Sequence, residues 1–174
     1  MSLIKSSSGI RGTIGGKPGE GLSPVDIVKF TSAFATWVKA RHTEGKLRIV
    51  IGRDARISGE MFTNLVVGTL QGMGIDVIDL GLSTTPTVEV AVPAEKAHAG
   101  IILTASHNPK QWNALKLLNE KGEFISAEDG QTVLNIAESE SFQYADVNDL
   151  GKHVAMDGYI AKHIEMVLNL PLVD

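Results

Sequence analysis

The chain has 174 residues, of which 43% are hydrophobic, and this is enough to bury the core of a single domain. Its 16 Lys and Arg residues against 20 Asp and Glu give a net charge of −4, which argues against a general binder of nucleic acids or membrane surfaces. The sequence contains no cysteine, which excludes disulfides, zinc–thiolate sites and a cysteine nucleophile and favours a reducing, cytoplasmic location. Residues 1–14 lack the continuous apolar run of a signal peptide or membrane anchor, so we expect neither.

The first predicted element is a helix that begins after Ser23 and runs to about His42. Ser23 is a good N-cap, and Pro24 suits the first helical position. The apolar residues of this segment recur at helical spacing and predict a buried stripe. They are Ile27, Phe30, Phe34, Trp37 and Val38.

Short apolar runs alternate with further helical patterns along the rest of the chain. The runs predict strands at 47–51, 75–78 and 101–103, and a hairpin over 115–125. The helical patterns lie at 58–73, through Val88 and Val92, at 127–140 and near the C-terminus. The apolar face of that last helix comprises Met156, Ile160, Ile164, Val167 and Leu168. Together they predict an α/β fold with three layers (α/β/α) and a mixed, mostly parallel sheet, with the hairpin as an antiparallel edge.

A polar loop with a serine at its centre follows the apolar run 99–103. Ligands gather beyond the carboxyl ends of strands in open α/β sheets, so Ser106 is expected at a ligand-binding rim. The Asn108-Pro109 pair stops the strand and favours extended backbone, which would turn Ser106 and His107 to opposite sides. This argues against a Ser–His hydrolase pair. The alternative interpretation is an ordinary polar turn without chemistry.

Three other polar segments should lie near the same rim. Residues 52–59 and 81–86 follow predicted strands, and the loop 7–13 places Arg11 between two glycines, which suits contact with phosphate or carboxylate. Arg53 and Arg56 either contact a ligand or pair with Asp54 and Glu60. Neither a dinucleotide fingerprint nor a P-loop is complete, and the histidines show no metal-ligand spacing.

With these segments identified, the chain resembles domain I of the alpha-D-phosphohexomutases, which include phosphoglucomutase, phosphomannomutase and phosphoglucosamine mutase. Residues 8–13 resemble the family's opening arginine loop, and 52–59 its second signature. Residues 104–109 resemble its phosphoserine loop, which Asn113 to Lys116 completes. The order of the motifs along the chain also matches.

The resemblance implies roles for particular residues. Ser106 would carry the phosphoryl group, and through its phosphate it would be this chain's one ligand to Mg²⁺. Lys116 and His107 would act as general acid and base, and Arg11 would steady the transferring group. Asn108 and Arg53 would bind substrate. The substrate would be a hexose phosphate, the cofactor Mg²⁺ and the activator a hexose 1,6-bisphosphate.

The resemblance also implies a domain organisation. Residues 1–150 would form domain I, and residues 151–174 would be a connecting helix toward a second domain. The magnesium ligands and the sugar-selecting loop would belong to the remaining domains of a parent chain, so this chain alone should not turn over substrate. A non-catalytic sugar-phosphate binding module stays open as an alternative. A serine hydrolase ranks behind both because no G-x-S-x-G motif is present.

Overall fold

The computed structural model describes residues 1–6 and 9–171. The strands are β1 (Leu3–Ser6), β2 (Gly9–Thr13), β3 (Arg48–Arg53), β4 (Asp76–Leu82), β5 (Ala99–Leu103), β6 (Trp112–Leu118) and β7 (His153–Ala155). The helices are α1 (Pro24–Arg41), α2 (Gly59–Gly72), α3 (Thr85–Ala94), α4 (Ala127–Ser139) and α5 (Tyr159–Leu168), with a short 3-10 helix at Val147–Asp149. Ser7 and Ser8, which open the predicted arginine loop, and residues 172–174 lie outside the described residues.

Within the described residues the strands form one mixed sheet in the order β1-β2-β6-β5-β3-β4-β7. The pairs β5–β3, β3–β4 and β4–β7 are parallel. The pairs β1–β2, β2–β6 and β6–β5 are antiparallel. The predicted α/β fold with a mixed sheet is confirmed, and its antiparallel part is larger than predicted because the N-terminal segment joins the sheet.

The predicted hairpin over 115–125 is only partly right. Its first half is β6, which lies inside the sheet between β2 and β5 rather than at an edge. Its second half contributes a single antiparallel bridge, Leu118 to Phe124, after the turn. β6 is a central strand because β2 covers the side that a hairpin partner would otherwise occupy.

The segment predicted as an arginine loop is instead mostly strand. β2 pairs along its full length with β6, and Ile10 is buried in the core. At Gly9 the backbones approach so closely that a Cβ atom would clash with the carbonyl oxygen of Leu115. Glycine is therefore needed here for close strand packing rather than for a flexible loop.

Two helical layers cover the sheet, as predicted. The larger apolar core lies under α1, α2 and α4, and a smaller one lies between the sheet and the α3–α5 layer. α1 begins at Ser23, whose hydroxyl accepts from the backbone N–H of Asp26 while the Asp26 carboxylate accepts from the Ser23 N–H. The predicted stripe of α1 is fully buried, and Trp37 stacks on Phe34 as a structural residue.

The C-terminal segment adds a strand that the sequence analysis did not predict. β7 pairs with β4, and all three of its residues are exposed. α5 follows, and it buries Tyr159 while Ile160, Ile164 and Leu168 stay exposed. No helix in residues 1–6 and 9–171 combines the length and apolar character needed to cross a bilayer.

Candidate functional site

The topology creates a crevice at the carboxyl ends of β3 and β5. These strands are parallel neighbours. From β3 the chain passes through α2 to β4 on one side of β3, and it later returns to β5 on the other side of β3. Ligands of open α/β sheets bind at such a reversal of strand order. The segment after β5 is the loop that contains Ser106.

A pocket of about 230 Å³ lies beside this loop. Its lining residues come from the end of β1, from β2 and β6, and from the segment after β5. They are Ser6, Gly9, Arg11, Thr104, Ala105, Ser106, Ala114, Leu115 and Lys116. These described lining residues include two cations and no carboxylate, so the pocket favours an anion.

Strand alternation places the two cations on the same wall. Arg11 is paired with Ala114 and Gly9 with Lys116 across the β2–β6 ladder. The intervening Ile10 and Leu115 point into the core under α1 and α4. Because successive side chains point to opposite faces, Arg11 and Lys116 lie on the pocket face.

Ser106 is exposed and has a backbone φ of 55°, in the left-handed region. Its N–H donates to the Thr104 hydroxyl at 3.0 Å, and the Asn108 N–H closes the turn on the Ala105 carbonyl oxygen at 3.0 Å. The expectation of extended backbone at Ser106 is therefore wrong, because this turn takes over directly after β5. A non-glycine residue held in this region is strained, and such strain clusters at functional sites.

Asn108 contacts Arg11 from the segment 104–109, which follows β5 and is called the serine loop below. Its side-chain oxygen accepts a hydrogen bond from Nη1 of Arg11 at 3.2 Å. The guanidinium also lies 6.0 Å from the ring centroid of Trp112. Arg11 is thus held from two sides at the pocket wall. Lys116 is half-buried, and its Nζ lies 5.8 Å from the centroid of the Phe124 ring.

The other predicted residues lie apart from this pocket. His107 is exposed and is not among the lining residues. Arg53 donates to the carbonyl oxygen of its neighbour Asp54 at 3.3 Å and lies at the end of β3. The predicted loop 81–86 is largely the end of β4 and the start of α3, with Thr84 as N-cap, and it does not line the pocket. A larger depression of about 540 Å³ lies near the end of α1 and contains none of the motif residues.

Two further residues lie at or beside the pocket. The sequence analysis gave Thr104 no individual role and left Arg56 between a ligand contact and an ion pair. The Arg56 side chain is only 10% exposed and forms the predicted ion pair with Asp54 at 3.1 Å. The Thr104 hydroxyl donates to the same carboxylate at 2.6 Å. The ion pair joins residues two positions apart and was predicted, whereas the bond from Thr104 to Asp54 spans 50 positions and was not visible in the sequence.

The carboxylate nearest to the serine loop does not fit a metal ligand. Asp54 accepts from the backbone N–H of Arg56 on Oδ1, and from Nε of Arg56 and the Thr104 hydroxyl on Oδ2. Across residues 1–6 and 9–171, no group of three or more His, Asp or Glu side chains is arranged to hold a metal ion.

Comparison with known proteins identifies a matching family model and several relatives of this chain. The family model for phosphoglucomutase/phosphomannomutase, alpha/beta/alpha domain I, matches residues 3–144. A phosphoglucomutase/phosphomannomutase from Thermococcus kodakarensis is 36% identical over 169 residues, or 97% of the chain. A phosphoglucosamine mutase from Limosilactobacillus reuteri is 43% identical over 93 residues, 53% of the chain and 21% of that relative.

A solved structure agrees with the fold. The crystal structure of a phosphoglucomutase/phosphomannomutase family protein from Burkholderia thailandensis matches 95% of the chain with a TM-score of 0.79 at 24% identity. The chain covers 35% of that structure and 36% of the length of the Thermococcus relative. It therefore spans only part of the proteins that it matches.

Proposed function

The chain belongs to the phosphoglucomutase/phosphomannomutase family as its α/β/α domain I, and from this premise we propose that it is the phosphoserine-bearing part of a hexose-phosphate mutase. One observation carries the proposal. An exposed serine in strained backbone shares a pocket of about 230 Å³ with Arg11 and Lys116, which come from other strands. Phosphoryl transfer depends on positioning and on neutralising charge, and this pocket offers both.

In the proposed reaction Ser106 alternates between a free hydroxyl and a phosphoester. The bond between Ser106 Oγ and phosphorus breaks as a bond from a sugar hydroxyl oxygen to phosphorus forms. The hydroxyl proton passes to a base, and Ser106 Oγ regains a proton. The second half-reaction reverses these steps with the other phosphate of the sugar bisphosphate, so that the phosphate moves between the 1- and 6-positions.

Lys116 and His107 are our candidates for moving these protons. Lys116 lines the pocket and can reach a bound sugar phosphate directly. His107 lies next to the serine but is exposed, so it would act only on a ligand that extends beyond the pocket. Arg11, fixed by Asn108, would neutralise the transferring phosphoryl group.

Substrate binding would extend beyond the pocket toward Asn108 and Arg53. Mg²⁺, when bound, would neutralise charge on the phosphoserine, and from this chain only the phosphate on Ser106 would hold it. That assignment agrees with an Asp54 carboxylate already engaged by Arg56 and Thr104. A hexose 1,6-bisphosphate would load the serine.

The proposed partner is the rest of a mutase. The relatives are longer than this chain, which covers 36% of the Thermococcus protein. We therefore expect the chain alone to accept phosphate without turning over substrate, and we place its chemistry in the cytoplasm, in line with the absence of cysteine. Glucose, mannose and glucosamine phosphates stay equally open as substrates.

The test is phosphorylation of the chain itself. The protein is incubated with glucose 1,6-bisphosphate and Mg²⁺, and its intact mass and phosphopeptides are measured. We expect one phosphoryl group on Ser106, none on Ser106→Ala, and wild-type labelling of Ser83→Ala, a serine that follows strand β4 of the same sheet. Labelling that persists in Ser106→Ala would contradict the proposal. Saturable hexose-phosphate binding in calorimetry without any phosphoserine would support the non-catalytic binding module instead.

A further inference from the structure

The guanidinium of Arg56 donates four hydrogen bonds to the backbone of residues 106–112. Nη2 donates to the carbonyl oxygens of Ser106 at 2.7 Å and Asn108 at 2.9 Å. Nη1 donates to the carbonyl oxygens of Pro109 and Trp112, both at 3.0 Å. A single side chain from the segment after β3 thus binds four carbonyl oxygens between Ser106 and Trp112, the first residue of β6.

Arg56 is itself fixed in place. Its Nε donates to Oδ2 of Asp54 at 3.1 Å, and its backbone N–H donates to Oδ1 of the same residue at 3.0 Å. The Arg56 side chain is only 10% exposed, so these charge-assisted bonds are largely shielded from water. Arg56 therefore uses all three guanidinium nitrogens within the protein and does not line the Ser106 pocket.

The Asp54 carboxylate is also linked to Ser106 through the hydroxyl of Thr104. Oδ2 of Asp54 accepts from the Thr104 hydroxyl at 2.6 Å, and that hydroxyl accepts from the Ser106 N–H at 3.0 Å. The backbone of Ser106 is thus held at its N–H by Thr104 and at its carbonyl by Arg56. These two hydrogen bonds therefore hold both backbone polar groups of the residue whose φ is 55°. Strained backbone of this kind persists only where the surroundings fix it.

We propose that Arg56 is the positioning residue of the serine loop: it holds Ser106 in its left-handed conformation and so sets the rate of phosphoryl transfer to Ser106 without touching the substrate. The proposal rests on the proposed function for the rate, but not for the conformation of the loop. Lysine cannot replace Arg56, because one ammonium cannot bond four carbonyls and a carboxylate in a fixed planar arrangement.

The test compares Arg56→Lys with Arg41→Lys. Arg41 is a matched control, since it also forms an ion pair, with Asp129 at 3.2 Å, but it lies on α1 away from the loop. Hydrogen–deuterium exchange of a peptide covering 104–112 should speed up in Arg56→Lys and stay unchanged in Arg41→Lys. The single-turnover rate of Ser106 phosphorylation should fall about 100-fold, as expected for a misplacement on the order of 1 Å. The bisphosphate concentration that gives half the maximal rate should stay near the wild-type value.

The outcomes separate this inference from the proposed function. Exchange in the loop needs no phosphate donor, so faster exchange in Arg56→Lys supports the positioning role even if the wild-type protein takes no phosphate. Unchanged exchange, a wild-type phosphorylation rate, or an effect confined to the half-saturating concentration would overturn it. If Arg56→Lys does not fold, Asp54→Asn keeps the size of the side chain but weakens the acceptor of Nε, and it should give the same two changes. Loss of stability alone in Asp54→Asn would likewise overturn the proposal.

Discussion

At the scale of single residues, the left-handed backbone of Ser106 lowers the stability of the folded protein, although the proposed function needs a serine there. A residue with a Cβ atom is strained at a φ of 55°, whereas glycine is not. We therefore expect Ser106→Gly to be more stable than Ser106→Ala by about 1 kcal/mol, although both lose the hydroxyl. Urea denaturation of the two variants measures this difference in the free energy of unfolding.

The control for this prediction is the same pair of substitutions at Lys110. Lys110 is exposed in the same loop and does not have a positive φ. There glycine should be the less stable variant, because it loses more conformational freedom on folding. If glycine is also the less stable variant at position 106, the serine backbone is not strained in the folded protein in solution.

At the scale of elements, His98 joins the starts of β3 and β5. Its Nδ1 accepts from the backbone N–H of Arg48 at 3.1 Å, which requires that nitrogen to be unprotonated. Burial lowers the pKa of His98 below its ordinary value of 6.5, and the nearby His42 ring lowers it further. The unfolded chain then binds the proton more readily, so this contribution is present above pH 6.5 and is lost as the pH falls through the folded-state pKa.

The substitution His98→Asn tests this pH dependence. Asparagine offers an oxygen that can accept from Arg48 but does not titrate. Thermal unfolding between about pH 7 and about pH 5 should therefore show a smaller loss of stability in the variant than in the wild-type protein. Identical slopes in the two proteins would show that protonation of His98 does not contribute to acid destabilisation.

Local signals predicted the elements whose own residues carry a strong cap or apolar pattern. Ser23 and the apolar stripe after it predicted α1 to within a residue, and the predicted strand 101–103 covers the last three residues of β5. β2 and β7 escaped prediction because their sequences are short and depend on distant partners, β6 and β4. The motifs predicted that Ser106 and Arg11 lie at the same rim. They could not predict the left-handed turn or the carbonyl contacts of Arg56, because these arise only when the loops after β3 and β5 meet.

At the scale of the whole molecule, the candidate site depends on the complete central sheet. Arg11 comes from the second strand, Ser106 from the loop after the fifth and Lys116 from the sixth, and the bond between Arg11 and Asn108 spans 97 positions. β7 and α5 take no part in it. The chain is fixed to α2 as far as Gly151, whose N–H donates to the Gln71 carbonyl at 2.9 Å. The predicted boundary between residues 150 and 151 lies directly before this attachment and stays a prediction.

The substitution Tyr159→Ala tests whether the segment after residue 150 is a separable unit. Tyr159 is 3% exposed and donates to Glu95, the residue after α3, at 2.9 Å, whereas Ile160, Ile164 and Leu168 of α5 are exposed. Removing a buried aromatic ring should raise exchange in residues 153–168 roughly 100-fold in hydrogen–deuterium exchange, while β3 and β5 keep their protection. Ile164→Ala is the matched control, because Ile164 lies on the same helix and is 54% exposed. An equal loss of protection in β3 and β5 would mean that β7 and α5 unfold only with the rest of the domain, and the boundary at residue 150 would then be wrong.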